Sequence, residues 1–194
     1  MMTPVDPKRR LLAAVIDRLA EHGLGDASLR GLATAIGTSH RMLIYHFGSK
    51  TGLLIEVVRE MERRQLESIA ELETEIAADP ALGPSDLMRR YWRRVSDPAL
   101  WPAERLFFEL YGQALQGRDG TTPFLDNIVE AALNPLTQVT RRHGSPPDQA
   151  RADARFGIAV TRGLLLDLLA TGDREGCDAA MERFIAAFEA MRAG

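Results

Sequence analysis

Residues 28–50, SLRGLATAIGTSHRMLIYHFGSK, constrain the fold of this chain more than any other stretch. Ser28 is placed as an N-cap, since its hydroxyl can accept from an unpaired backbone N–H of the first turn. Leu29, Leu32, Ala33 and Ile36 then recur at three- and four-residue spacing, which predicts a helix with one apolar stripe. Gly37 is placed to stop it, because a left-handed residue is cheap only for glycine. Thr38 and Ser39 offer a second cap at once. The next helix buries Leu43 and Phe47, four apart, and leaves its other side polar. A short buried helix, a glycine turn and a second helix with a polar outer face are the parts of a helix-turn-helix. In that motif the second helix enters the major groove and its exposed N-terminal residues meet base edges. An ordinary helical hairpin packed in a core would share the broad pattern.

The rest of the chain reads as helix too, with no strand alternation of useful length and no hairpin signal. The expected fold class is all-α, with about nine helices. One spans about 7–22, and another starts after Ser49 and continues to about Ala78. Residues 79–84, DPALGP, break the chain. Ser85 is read as the cap of a helix reaching about Ser96. Asp97-Pro98, Thr122-Pro123 and Ser145-Pro146-Pro147 each place proline where a new first turn tolerates its missing N–H. The last two helices are expected at about 147–171 and 174–192, separated by Gly172 and capped by Asp173. The expected division is a helix-turn-helix DNA-binding head, 1–48, and a helical ligand-binding and dimerisation body, 49–194.

The 28–50 stretch resembles the signature of the TetR family of bacterial transcriptional regulators. Arg30, Leu32, Ala33, Gly37, Ser39, Leu43, His46, Phe47, Ser49 and Lys50 carry the resemblance, and Arg9–Leu19 followed by Glu21-His22-Gly23 fits the family's lead-in. The likeness is specific over roughly 8–58. Two positions depart from the pattern. Arg41 stands where the family usually has a small residue. Ile44 stands where it often has tyrosine, with Tyr45 one position later, so the family's tyrosine–phosphate contact has no direct counterpart. The resemblance implies a ligand-responsive regulator, a repressor foremost, that binds a two-fold related double-stranded operator as a homodimer and is released by a small-molecule effector.

Charge distribution agrees with contact at one end only. The whole chain carries a net charge of −3, yet residues 1–50 carry +3 and the remainder −6. At the start of the second helix, His40 and Arg41 are expected to contact DNA, Arg41 being able to pair with guanine, and Met42 can press on a thymine methyl. Arg30 occupies a family position that contacts DNA, with an ion pair to Asp26 as its alternative. Ser39 is both a cap and a neighbour of phosphate. Tyr45 and His46 can donate to phosphates, and His46 can equally serve packing. Lys50 opposes the helix dipole in a first turn, which a nearby phosphate would offset. Lys8, Arg9 and Arg10 form either a basic arm or a solvated terminus.

In the body, the family's effector cavity would fall among the aromatics Trp92, Phe107, Phe108, Tyr111 and Phe124. Glu109 and Arg162, polar groups within apolar stretches, are candidates to anchor a ligand or to pair within the core. The last two helices are apolar over more than one stripe, where a surface helix needs one. Leu164, Leu168, Phe184, Phe188 and Met191 are therefore expected at a dimer interface, with burial inside one subunit as the alternative. The single cysteine, the polar N-terminus and the lack of an apolar run of about 18 residues predict a cytoplasmic protein without a membrane span. Four histidines and one cysteine at these spacings form no metal-ligand pattern, and no catalytic constellation is legible, so neither an enzyme nor a cofactor is expected. The competing readings are a helical protein-binding adaptor or a helical enzyme without DNA-binding function.

Overall fold

The computed structural model describes residues 6–25, 27–79 and 82–193. These residues are overwhelmingly helical, and no strand occurs among them. In chain order the helices are α1 (Pro7–His22), α2 (Leu29–Ala35), α3 (His40–Phe47), α4 (Lys50–Ala78), α5 (Pro84–Val95), α6 (Trp101–Leu115), α7 (Pro123–Asn127), α8 (Glu130–Arg142), α9 (Ala150–Thr171) and α10 (Arg174–Ala193). Nine have at least seven residues, and α7 is little more than one turn. None is long and apolar enough to cross a membrane.

Most boundaries follow from capping chemistry. Ser28 Oγ accepts from Gly31 N at 3.0 Å, and Ser39 Oγ from Met42 N at 3.2 Å. Between them Gly37 adopts φ 70°, the left-handed turn that separates α2 from α3. Asp97 caps a short 3₁₀ turn, Pro98–Leu100, that leads into α6. Gly172 (φ 73°) stops α9, and Asp173 Oδ1 accepts from Gly176 N at 2.9 Å at the head of α10.

Two expected starts are displaced. Ser85 does not cap α5. Gly83 holds that position, with Asp86 Oδ2 accepting its N–H at 3.1 Å, and Ser85 Oγ instead donates to Glu189. α9 begins at Ala150 rather than 147, because Pro146 and Pro147 lead into a turn closed by Gln149 N donating to Pro146 O at 2.9 Å.

The chain forms two compact units that do not divide at one point in the sequence. The first joins the chain up to Arg63 with Pro102–Asn127, and the second joins Arg64–Trp101 with the chain from Ile128 onward. In the first unit the core draws on Val15, Ile16 and Leu19 of α1, Leu43 of α3, Leu53 and Val57 of α4, and Leu106 and Leu110 of α6. In the second, α9 packs against α8 and α10, and α5 lies on α10. Leu133, Leu168, Met181, Ile185 and Phe188 are its largest fully buried side chains. The α5–α10 seam also carries polar stitches, with Trp92 Nε1 donating to Asp178 Oδ1 at 2.6 Å and Arg89 Nη2 pairing with Glu182 Oε2 at 2.9 Å.

Candidate nucleic-acid interface

α3 is two-faced in the way its spacing predicts. Leu43 is fully buried and Phe47 nearly so. On the opposite side His40, Arg41, Met42, Ile44 and Tyr45 are all exposed. Tyr45 stands out at 78% exposed, against 39% for Met42 and 38% for Ile44. On this eight-residue helix three large apolar or aromatic side chains thus lie open to water beside an arginine and a histidine.

The cations around this face are free to act. Arg30, Arg41 and Lys50 are exposed, and no ion pair engages them among the described residues. Asp26, the partner considered for Arg30, lies outside the described residues. Lys50 opens α4 directly after Ser49, whose Oγ accepts from Gly52 N at 3.0 Å. Ser39, as the cap of α3, stays exposed next to Met42. His46 is half-buried, edge-on to the Tyr45 ring at 4.9 Å, and its buried Nε2 has no hydrogen-bond partner. Lys8 is not part of a loose arm. Its Nζ pairs with Glu56 Oε2 at 3.2 Å and lies 5.8 Å from the Phe47 ring centre, which ties α1 to α4 and α3.

The residues expected around an effector fall into both units. Phe107, Phe108, Tyr111 and Phe124 gather in the first, with Phe107 edge-on to Phe108 and to Phe124 at 5.4 Å each. Phe124 is fully buried. Trp92 and Arg162 belong to the second unit, where Arg162 Nη2 donates to Ile128 O at 2.7 Å. Glu109 does something its sequence context does not announce. Its Oε2 accepts from Leu24 N at 2.9 Å and its Oε1 from Gly25 N at 3.4 Å, in the loop between α1 and α2.

The expected interface residues are likewise redistributed. Leu168, Phe184 and Phe188 are buried in their own unit, Leu164 is half-buried, and Met191 is 59% exposed. The open apolar stripe lies one register away on α9. Ala152, Phe156, Ala159, Gly163, Leu166 and Ala170 alternate at four and three residues and are all exposed. Phe156 is 45% and Leu166 52% exposed, and a side chain added at Gly163 would meet nothing within 4 Å. Alternating four–three spacing is the seam pattern of helices that pair along their length. Sequence periodicity found two apolar faces on α9 but could not say which one its own unit takes up.

Residues 11–57 match the model of a family described as bacterial regulatory proteins, tetR family. Over 68 residues the chain is 34% identical to the HTH-type transcriptional repressor AcnR of Corynebacterium efficiens, covering 35% of this chain and 36% of that protein. Over 78 residues it is 32% identical to the HTH-type transcriptional regulator BetI of Stenotrophomonas maltophilia, covering 39% and 40%. The match thus spans well under half the length of these curated relatives. The whole fold is similar to that of a transcriptional regulator from Rhodococcus sp. Rha1, with a TM-score of 0.79 and 20% identity over 94% of this chain and 96% of that one.

Proposed function

We propose that this chain, which belongs to the TetR family of bacterial transcriptional regulators, binds a two-fold related DNA operator as a homodimer, represses there, and lets go when a small molecule binds its helical body. The family's members regulate transcription rather than catalyse reactions. The observation that carries the reading is the outer face of α3, where Arg41 and Tyr45 stand open behind the Ser39 cap while Leu43 and Phe47 hold the helix from beneath. Arg41 reads a guanine, Met42 and Ile44 meet thymine methyls, and Arg30, Ser39, Tyr45, His46 and Lys50 meet backbone phosphates. The proposed division of labour is a reading head at 1–48, to which the start of α4 adds Lys50, and a body from 49 onward, of which α6 and α7 pack in the same compact unit as the head, acting in the cytoplasm where the chromosome lies.

The exposed stripe of α9 supports the homodimer. A two-fold axis would lay Phe156 and Leu166 of each copy against the same helix of the other. Two linked heads combine their discrimination and fix the spacing of the half-sites. The small-molecule effector is proposed to bind in the helical body, close to the aromatic cluster of Phe107, Phe108, Tyr111 and Phe124. Such a ligand can act only through its differential affinity for the DNA-competent and DNA-incompetent states.

The test is a titration of the full chain on a duplex recovered by selection from random DNA. Arg41→Ala is expected to weaken binding at its base position about tenfold or more, in line with about 1–3 kcal/mol for a bidentate arginine–guanine pair. Unchanged affinity and unchanged base preference would remove Arg41 from the reading face.

A further inference from the structure

We propose that Glu109 is a positioning residue for the DNA-reading helices, acting from α6 on the loop that leads into them. It was a candidate ligand anchor by sequence, yet both its carboxylate oxygens are spent on backbone amides, Oε2 on Leu24 N at 2.9 Å and Oε1 on Gly25 N at 3.4 Å. A carboxylate bridging two successive N–H groups is a charge-assisted, two-point hold that fixes the direction of the chain as well as its place. It acts just past the end of α1, where Gly23 (φ 77°) has turned the chain out of the helix. A Cβ at Gly23 would stand 3.3 Å from Oε2, so the carboxylate closes tightly over the turn. Leu24 between these groups is buried.

The same segment also touches the start of α4, just past the reading helices. In the turn after α6, Gly120 (φ 81°) is buried, and a Cβ there would lie 3.0 Å from Thr51 O and 3.1 Å from Thr51 Cα. A side chain there would crowd the Thr51 backbone unless it gave by a few tenths of an ångström, and would do so at a positive φ that favours glycine. Thr51 is in the first turn of α4, next to Lys50 and just past α3. Residues 109–120 therefore touch the chain on either side of α2 and α3, at Leu24–Gly25 before them and at Thr51 after them, in addition to the packing of Leu43 and Phe47 beneath α3. The proposal rests on the DNA-reading function above and adds the element that sets the pitch of α3.

Glu109→Gln and Gly120→Ala are made in the full chain, alongside wild type. Amide hydrogen exchange and operator titration are followed together, with affinity referred to the folded fraction. For Glu109→Gln we expect faster exchange at Leu24 and Gly25, at least a tenfold loss of operator affinity, and an unaltered salt slope, since the phosphate contacts keep their number. Gly120→Ala is expected to lose affinity likewise, with faster exchange near Thr51. A contact that only adds stability would lower the unfolding midpoint and leave the affinity of the folded fraction intact. That result, or unaltered exchange at Leu24 and Gly25 in the Glu109 variant, overturns the proposal. Wild-type protein that binds no selected duplex would instead refute the DNA-reading function itself.

Discussion

Leu166 offers the most direct quantitative handle on self-association. It is the fifth of the six stripe positions on α9 and 52% exposed, so about half of the side chain has nothing to cover it within its own unit. Fully burying a leucine is worth about 1.5–3 kcal/mol, so covering the open half contributes roughly 1 kcal/mol per protomer. A two-fold interface uses each patch twice, which brings the contribution to roughly 2 kcal/mol per dimer. At about 1.4 kcal/mol per tenfold, Leu166→Ala should raise the dimer dissociation constant roughly 30-fold. Leu166→Arg should do more, because it places two like charges against each other across the axis. Sedimentation equilibrium on the full chain reads this directly, and circular dichroism confirms that the helices remain. Operator binding should then turn steeply dependent on protein concentration. A dimer constant unmoved by both substitutions would show that the α9 stripe is not the self-association face.

Three further outcomes follow from particular contacts. Burial, and then the charge of Asp126, hold Glu62 above its ordinary carboxylate range, with Arg59 partly offsetting them, and its Oε1 is buried without a partner. A carboxyl whose folded pKa exceeds its unfolded one favours the folded state at low pH and loses that contribution as pH rises from the unfolded to the folded value. Glu62→Gln should therefore melt higher than wild type at neutral pH, with the gap closing near pH 4 in paired thermal melts; a gap that widens on acidification contradicts this. Trp92→Phe removes the 2.6 Å indole bond to Asp178 on the α5–α10 seam and should cost about 1.5–3 kcal/mol, roughly 3–12 °C in a calorimetric midpoint. Lys50→Ala removes one phosphate contact from each protomer, so it should weaken operator binding across sequences and reduce the salt slope of the dimer by about two units, measured by anisotropy at several salt concentrations.

What was legible in the sequence was local. Ser28, Gly37 and Ser39 act within three or four residues of themselves, so the turn between α2 and α3 could be placed from their order alone. The apolar pair Leu43 and Phe47 likewise told which side of α3 faces inward. What was not legible depends on distance along the chain. Glu109 lies 85 positions from Leu24, and Ser85 lies 104 from Glu189, so neither residue's neighbours hint at the partner that claims it. Gly83 displaced Ser85 as a cap because Asp86 could close back on its N–H while Ser85 found a side chain elsewhere. The grouping of α6 and α7 with the reading helices was hidden for the same reason, since long-range packing leaves no mark in spacing. On α9 and α10 the periodicity was clear, but two apolar stripes per helix left open which one the unit buries.

In the function proposed for this chain, the α3 face reads a two-fold related operator. Selection from a random duplex pool by the folded dimer, followed by footprinting of the enriched sequence, tests it most directly. Two inverted half-sites are expected, each protected in the major groove, with Arg41→Ala relaxing the preference at one symmetric pair of positions. Failure of the folded dimer to enrich any two-fold related sequence would contradict it.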